Sequence, residues 1–253
     1  MSRKNWSREE TIVAFNVYCK IPFKNSSKTN PTIIKYANII GRSPSALNMK
    51  IGNLGRLDPE LKKKGITGLV NGSQLEEIIW NEFHGNWDDL AFESEKIISK
   101  FQGKNIEDEV IVENFPTGKD KLKLVKTRVN QSFFRSSVLS AYNLTCCITG
   151  IKIPELLIAS HIIPWSENVE RTNPRNGLCL NNLHDKAFDK GLISIDTNYK
   201  ITVSKYLLDY EKGENDFYFT QYKNKKIKLP EKFLPNLEFL KDHYSKFKNN
   251  EYN

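Results

Sequence analysis

Two segments decide the fold of the C-terminal part of this chain: LLIASHIIPW at residues 156–165 and NGLCLNNLHDKAFDKG at residues 176–191. The first is apolar except for Ser160 and His161, which predicts a buried strand that ends in a polar tip. The second begins with an Asn-Gly turn, continues through a short apolar run and then follows a helical pattern as far as Gly191. The predicted order is therefore strand, loop, strand and helix.

The predicted helix brings several polar side chains close to the polar tip of the strand. Asp185 and Asp189 are four residues apart and share one helix face, whereas His184 belongs to the neighbouring row. We therefore expect His161 to face two carboxylates across a narrow cleft. A neutral imidazole can accept a proton from water near pH 7, and a divalent cation can neutralise charge on a scissile phosphate. This combination predicts metal-assisted hydrolysis of phosphodiesters.

The same pattern is similar to that of a known family of nucleases. Residues 128–204 resemble the HNH endonucleases, whose ββα-metal motif takes its name from a His, an Asn and a His. The resemblance implies that His161 is the general base. It also implies that Asn176, fifteen residues further along the chain, braces the loop that orients this base.

The third position of the motif differs from the usual family pattern. Members usually carry their metal-binding histidine nine residues after the asparagine, where this chain has Asp185, and many place an Asp or His directly before the base, where it has Ser160. We expect Asp185 and Asp189 to be the primary metal ligands, with His184 as a third ligand or as a donor to phosphate. Two carboxylates without a thiolate favour Mg²⁺ or Mn²⁺ over Zn²⁺.

Composition limits the classes of protein that remain possible. With 39% hydrophobic and 11% aromatic residues in 253, the chain is expected to fold rather than to be disordered. The apolar runs fall short of the ~20 residues that span a bilayer, and the first 20 residues lack a signal-peptide pattern. We therefore predict a cytoplasmic protein without a membrane partner. Four cysteines without a CxxC pair do not form a disulfide framework in a chain of this length.

Charge is unevenly distributed along the chain. Residues 1–64 carry 13 Lys and Arg against 4 Asp and Glu, a net charge of +9. Residues 65–118 carry 3 against 11, which gives −8, and residues 119–253 carry 22 against 15, which gives +7. Two basic regions separated by an acidic one suggest two surfaces that face a polyanion and a spacer that does not.

The N-terminal region predicts a helix-turn-helix arrangement. A first helix begins at the capping box of Ser7 and Glu10, and two further helices are joined by a tight turn that contains Gly41. In this arrangement the third helix would enter the major groove of double-stranded DNA. The residues expected at or near its exposed face are Arg42, Ser45, Asn48 and Lys50.

These observations predict an α+β protein with three parts. Residues 1–64 form a helical DNA-binding domain, residues 65–124 an acidic helical spacer with a linker, and residues 125–253 the HNH nuclease domain with a C-terminal extension. Arginine matches phosphate geometry, so we expect some arginines around the nuclease site to clamp the DNA backbone. The candidates are Arg128, Arg135, Arg171 and Arg175.

The predicted function is that of a metal-dependent DNA endonuclease in restriction or phage defence. A symmetric homodimer would allow two single-strand cutters to make a double-strand break. The alternative is a DNA-binding regulatory protein whose HNH-like module is inactive, which Ser160 and Asp185 would favour as departures from the family pattern. A nuclease that acts on RNA is a third possibility, because basic charge does not distinguish the two nucleic acids.

Overall fold

The protein is described here from a computed structural model, which divides into two compact units, Met1–Ala141 and Tyr142–Asn253. The described residues of the first unit form helices and turns, whereas those of the second form two small antiparallel sheets with helices. This arrangement confirms the predicted α+β class. The structure describes residues 5–66, 72–106, 119–167, 171–210 and 218–249.

The first unit is built around its first helix, α1. Residues 10–19 of this helix are all buried, and α1 packs against four helices of the same unit in addition to α2. None of the described helices is long and apolar enough to cross a membrane. The helices of this unit are α1 (Arg8–Lys20), α2 (Pro31–Ile39), α3 (Pro44–Gly55), α4 (Pro59–Lys63), α5 (Gln74–Phe83), α6 (Trp87–Phe101) and α7 (Lys119–Ala141).

The turn between α2 and α3 has the geometry of a helix C-cap. Gly41 has a φ of +66°, a conformation that disfavours residues with a side chain. The backbone N–H of Arg42 donates to the carbonyl of Ala37 at 2.9 Å. This is the hydrogen bond of a Schellman motif that closes the larger ring. Ser43 then caps α3 by accepting from the N–H of Ala46. The predicted sequence of helix, glycine turn and helix is therefore present.

Helix α7 lies in the first unit, although residue 125 was the predicted start of the nuclease domain. It packs against α1 and α6, with Val125, Phe133 and Phe134 buried. The Ser140 hydroxyl donates to the carbonyl of Cys19 on α1 at 2.8 Å. The apolar face of α7 thus completes the helical core of the first unit, which ends at residue 141. Most of the predicted linker lies in residues 107–118, outside the described residues.

The second unit contains the predicted strand, strand and helix arrangement. β1 pairs with β2 in an antiparallel sheet, with His161 opposite Gly177, and α8 follows β2 without a loop. β3 and β4 form a second antiparallel pair. The elements of this unit are β1 (Leu157–His161), β2 (Gly177–Asn181), α8 (Asn182–Asp189), β3 (Ile193–Ile195), β4 (Ile201–Val203), α9 (Lys205–Tyr210) and α10 (Leu237–Lys248).

The CCITG segment at residues 146–150 forms a turn, although its apolar composition predicts a strand. The N–H of Gly150 donates to the carbonyl of Cys146 at 2.9 Å, and Gly150 has a φ of +80°. A left-handed glycine closes a turn but interrupts strand pairing. The turn still packs against the first sheet, because the N–H of Cys147 donates to the carbonyl of Cys179 at 2.8 Å.

Helix α8 is held in place by the core of the second unit. It packs against β1, β2 and β3, and α10 packs against β3. The Phe188 side chain on α8 is fully buried and stacks on the ring of His243 on α10, with the ring centres 3.7 Å apart. The Ser194 hydroxyl lies 2.9 Å from Nδ1 of His243, and Nε2 donates to the carbonyl of Phe188 at 3.3 Å.

Candidate active site

A cleft of about 490 Å³ lies between the end of β1 and helix α8 in the second unit. The side chains of His161, Asp185 and Asp189 line this cleft together with Ser160 and Trp165. The strand supplies the histidine at its last position, and the helix supplies both carboxylates from positions i and i+4. The structure therefore brings together the histidine and the two aspartates that the sequence placed on facing elements.

The ring of His161 is held by the loop that follows β1. Its Nε2 lies 3.0 Å from the backbone carbonyl of Arg171. A carbonyl can only accept, so Nε2 carries the proton and the lone pair of the neutral ring lies on Nδ1. Burial lowers the pKa of His161, while the hydrogen bond to Arg171 raises it in part. The ring is consequently neutral at pH 7 and has a nitrogen that can accept a proton.

Asn176 is fully buried and joins the two sides of this loop. Its Oδ1 accepts from the N–H of Ile163 at 2.9 Å, and its Nδ2 donates to the carbonyl of the same residue at 3.1 Å. Its own carbonyl accepts from the N–H of Ile162 at 2.8 Å. These three hydrogen bonds fix the two residues directly after His161. These contacts are compatible with the bracing role that the family resemblance predicts for Asn176.

The two carboxylates of the cleft are both shifted toward their protonated forms. Burial raises the pKa of Asp185, against the opposing effects of the Ser160 hydroxyl and of Lys186. Burial also raises the pKa of Asp189, and the negative charge of Asp185 raises it further, against the effects of two lysines. Two carboxylates that repel each other in a partly desolvated cleft are each stabilised by a bound cation.

The oxygen groups around this cleft suit a hard divalent cation. Asp185 and Asp189 supply carboxylates, the ligands that Mg²⁺ and Mn²⁺ prefer. The Ser160 hydroxyl is buried at the same cleft, where it acts on the Asp185 carboxyl and lowers its pKa. The described residues contain no cluster of three or more His, Cys, Asp or Glu side chains with metal-binding geometry. Asp185 and Asp189 are therefore two candidate ligands and not a complete protein ligand set.

His184, the third predicted site residue, lies outside the cleft. Its ring is 3% exposed and packs against Phe219 and Tyr222, with ring centres 5.2 and 5.5 Å away. Its backbone N–H and its Nδ1 lie 2.9 and 3.0 Å from Oδ1 of Asn181, the N-cap of α8. Because adjacent helix residues point in different directions, His184 faces a separate cavity, and we do not retain it as a metal ligand.

Two side chains of the cleft have no predicted role in the sequence analysis. The Trp165 ring packs edge to face on His161 at 5.4 Å, and the guanidinium of Arg171 lies 5.6 Å from the centre of the indole. His243 reaches the same cleft from α10. Trp165 lies four residues after the end of β1, and this closeness in sequence is a local signal for the first of these. His243 has no such signal, since it contacts residues 49 and 55 positions away in the sequence.

The four predicted backbone-clamping arginines lie in different units. Arg171 and Arg175 are exposed on the loop between β1 and β2, and Nε of Arg175 donates to the carbonyl of Leu234 at 3.1 Å. Arg128 and Arg135 are exposed on α7 in the first unit. Only the first two thus belong to the unit that contains the cleft.

Two residues predicted to contact DNA are instead neutralised inside the first unit. The Arg42 guanidinium donates to Glu10 at 2.6 and 3.0 Å and lies over the Trp6 ring. Lys50 is buried, with Nζ 2.6 Å from the buried Glu76 carboxylate. Both cations compensate buried carboxylates, so we remove them from the expected DNA-facing surface.

Ser45 and Asn48, the other predicted DNA contacts, remain closer to the surface of α3. Ser45 is exposed, whereas Asn48 is half-buried and accepts from the Ser26 hydroxyl at 2.6 Å. Of the four predicted positions, Ser45 is therefore the one that the fold leaves most accessible.

A comparison with protein families identifies the segment that carries the cleft. A family model described as HNH endonuclease matches residues 146–196, which are 51 of the 253 residues. This segment contains β1, β2, α8 and every cleft residue described above except His243. The match assigns this segment to the HNH endonucleases by similarity and supports a nuclease activity for the part of the chain that contains the cleft. No curated protein matches the chain.

Proposed function

We propose that the protein is a divalent-metal-dependent endonuclease that hydrolyses phosphodiester bonds in double-stranded DNA. The observation that supports this proposal most directly is the cleft in which His161 faces Asp185 and Asp189 within the HNH segment. A base and a pair of carboxylates on facing elements are what metal-assisted attack of water on phosphate requires.

His161 is proposed to act as the general base. Its Nδ1 accepts a proton from the attacking water, whose oxygen forms the new bond to phosphorus as the bond to the departing oxygen breaks. The carbonyl of Arg171 holds the Nε2 proton and favours the imidazolium that results. Asn176 keeps the backbone after His161 in one position, so the ring does not need to reorient during the reaction.

Asp185 and Asp189 are proposed to hold Mg²⁺ or Mn²⁺, and the Ser160 hydroxyl would help to orient the Asp185 carboxylate. The bound ion would supply positive charge at the scissile phosphate and at the departing oxygen. The carboxylates themselves fix the position of this charge relative to His161, because both project from one face of a short, well-packed helix.

The exposed cations Arg171 and Arg175 are proposed to contact the phosphate backbone on either side of the cut bond. Both lie on the loop between the two strands, and the hydrogen bond from Arg175 to Leu234 fixes the direction of one guanidinium. Arg128, Arg135 and Ser45 are proposed as contacts from the first unit. These contacts would position the duplex without reading its sequence, apart from Ser45 on the proposed recognition helix.

The proposed biological role is restriction or phage defence, with two copies of the chain cutting the two strands. This role is supported by the combination of a basic helical region, in which α2 and α3 are joined by a tight turn, with a nuclease domain in one chain. Pairing a reader of DNA with a cutter is what selective cleavage requires.

Plasmid nicking tests the proposed activity. Purified protein is incubated with supercoiled plasmid and with modified and unmodified phage DNA, in Mg²⁺ or in chelator. We expect metal-dependent nicks that His161→Ala slows by ~10²- to 10⁴-fold, with Lys241→Ala on the exposed face of α10 as the control. Binding of DNA without nicking in any metal would contradict the nuclease and favour the regulatory protein. Preferential cleavage of RNA would contradict the proposed substrate.

A further inference from the structure

A second cavity of about 490 Å³ lies on another side of α8 from the catalytic cleft. Its lining is mainly apolar and includes Ile151, Leu156 and Leu183, and Tyr218 and Tyr222 contribute aromatic side chains. Leu156, Leu183 and Tyr218 are between 41% and 57% exposed, although large apolar side chains are usually buried. We call this cavity, with these five residues, the aromatic pocket.

The Tyr222 ring of the aromatic pocket packs against a buried residue. Tyr222 packs edge to face on the buried ring of His184, with the ring centres 5.5 Å apart. His184 is in turn fixed by the N-cap of α8. The exposed amide side chain of Asn182 also lines the pocket and places donors and an acceptor beside the apolar surface. A ligand of this pocket therefore has a flat apolar face and a polar edge.

Two lysines lie beside the aromatic pocket. The ammonium group of Lys225 lies 6.0 Å from the centre of the Tyr222 ring. The ammonium group of Lys228 lies next to Gly150, so that a Cβ built on this glycine would come within 2.7 Å of Nζ. The residues on either side of Gly150 line the pocket. Within the described residues neither lysine forms an ion pair with a carboxylate. The charge of the two lysines is therefore complementary to a polyanion.

We propose that the aromatic pocket binds an unstacked base of the nucleic acid strand while the two lysines contact its phosphates. A base supplies the flat face for stacking on tyrosine and the polar edge for Asn182, and its strand supplies the negative charge. An apolar peptide would fit the apolar lining of the pocket but would not complement the charge of the two lysines beside it. This inference rests on the proposed function, because it assumes that the nuclease domain holds a nucleic acid.

The position of the aromatic pocket suggests how it would serve cleavage. The pocket and the cleft lie on two sides of the same helix, and a helix with its side chains is about 10–12 Å across. This distance spans a few nucleotides of one strand. A base in the pocket would therefore fix the strand close to the phosphate that reaches His161.

Fluorescence of a single-stranded oligonucleotide with a central 2-aminopurine tests the inference. Stacking on tyrosine should quench this base when the oligonucleotide is added to the full-length protein. Tyr218→Ala should weaken binding by about 5- to 150-fold, the range for loss of one stacked base, while Tyr218→Phe should retain it. Tyr206→Ala, which removes another exposed tyrosine of the same unit, is the matched control.

The outcomes separate this inference from the proposed function. Absence of quenching, or equal effects of Tyr218→Ala and Tyr206→Ala on binding, would overturn the pocket assignment. Displacement of the oligonucleotide by an equal concentration of free nucleotide would also overturn it. Cross-linking of a 5-iododeoxyuridine oligonucleotide to a peptide that contains Tyr218 or Tyr222 would support it independently of any variant. Plasmid nicking by the same preparation reports on the proposed function alone, so nicking without quenching removes only the pocket assignment.

Discussion

His243 gives the second unit a stability that depends on pH. It is buried between α10 and α8, with Ser194 at one nitrogen and the carbonyl of Phe188 at the other. Burial lowers its pKa from 6.5 to about 4; the Phe188 carbonyl and Asp242 act in the opposite direction, and Lys246 lowers the pKa further. Unfolded His243 therefore binds a proton more tightly than folded His243. Its contribution to stability is complete above pH 6.5 and is lost as the pH falls toward 4.

The difference between these two pKa values corresponds to on the order of 3 kcal/mol between pH 7 and pH 4. His243→Gln keeps hydrogen-bonding groups at this position but removes the titration. We expect hydrogen exchange of peptides from α8 and α10, corrected for the intrinsic effect of pH, to lose about 100-fold more protection in the parent than in His243→Gln over this range.

Peptides from α1 provide the internal control for the His243 experiment, because α1 lies in the first unit. Their loss of protection should be the same in both proteins. The reasoning would be refuted by parallel curves for α8 and α10 in the parent and in His243→Gln. Such a result would mean that the folded protein accommodates the imidazolium without cost.

Three further predictions concern the site residues. His161→Ala should lower single-turnover cleavage by ~10²- to 10⁴-fold with an unchanged melting temperature; parental cleavage should persist below pH 6.5 and then decline, because burial lowers the pKa of this base. Asp185→Asn and Asp189→Asn should each weaken Mg²⁺ binding in calorimetry, whereas His184→Gln should not; equal affinities in all three variants would remove the aspartates from the ligand set. Lys50→Ala should destabilise the first unit by about 3–5 kcal/mol in urea unfolding, because it leaves the buried Glu76 without its cation; a loss of DNA affinity at unchanged stability would restore Lys50 as a DNA contact.

Local signals account for the parts of the fold that the sequence predicted well. The capping boxes of Ser7 with Glu10 and Ser73 with Glu76 are both formed, and the first stands at the predicted start of α1. The ββα order of the nuclease segment follows from an apolar run, an Asn-Gly turn and an N-cap. Each of these signals involves residues within a few positions of one another, which is why sequence alone can reveal them.

Contacts between distant residues account for the features of the fold and site that the sequence did not predict. Lys50 finds its buried partner 26 positions away and Arg42 its partner 32 positions away, so a count of charges cannot distinguish them from surface cations. His184 is next to Asp185 in the sequence, but its side chain points away from the cleft and packs against Phe219 and Tyr222. The apolar face of α7 packs against helices of the first unit, although its sequence alone would also allow packing against the second unit.

The hydrogen bonds of Asn176 have a consequence for the ageing of the protein. Asn-Gly pairs are prone to deamidation, in which the next backbone nitrogen attacks the side-chain amide and ammonia departs. In the folded protein the N–H of Gly177 donates to the carbonyl of Pro174, and the amide of Asn176 is held at both ends by Ile163. The carboxylate that deamidation leaves would place a buried negative charge beside the carbonyl of Ile163. We expect native protein to resist this reaction and protein stored partly unfolded to gain about one mass unit in the corresponding peptide, together with a permanent loss of cleavage that refolding does not reverse.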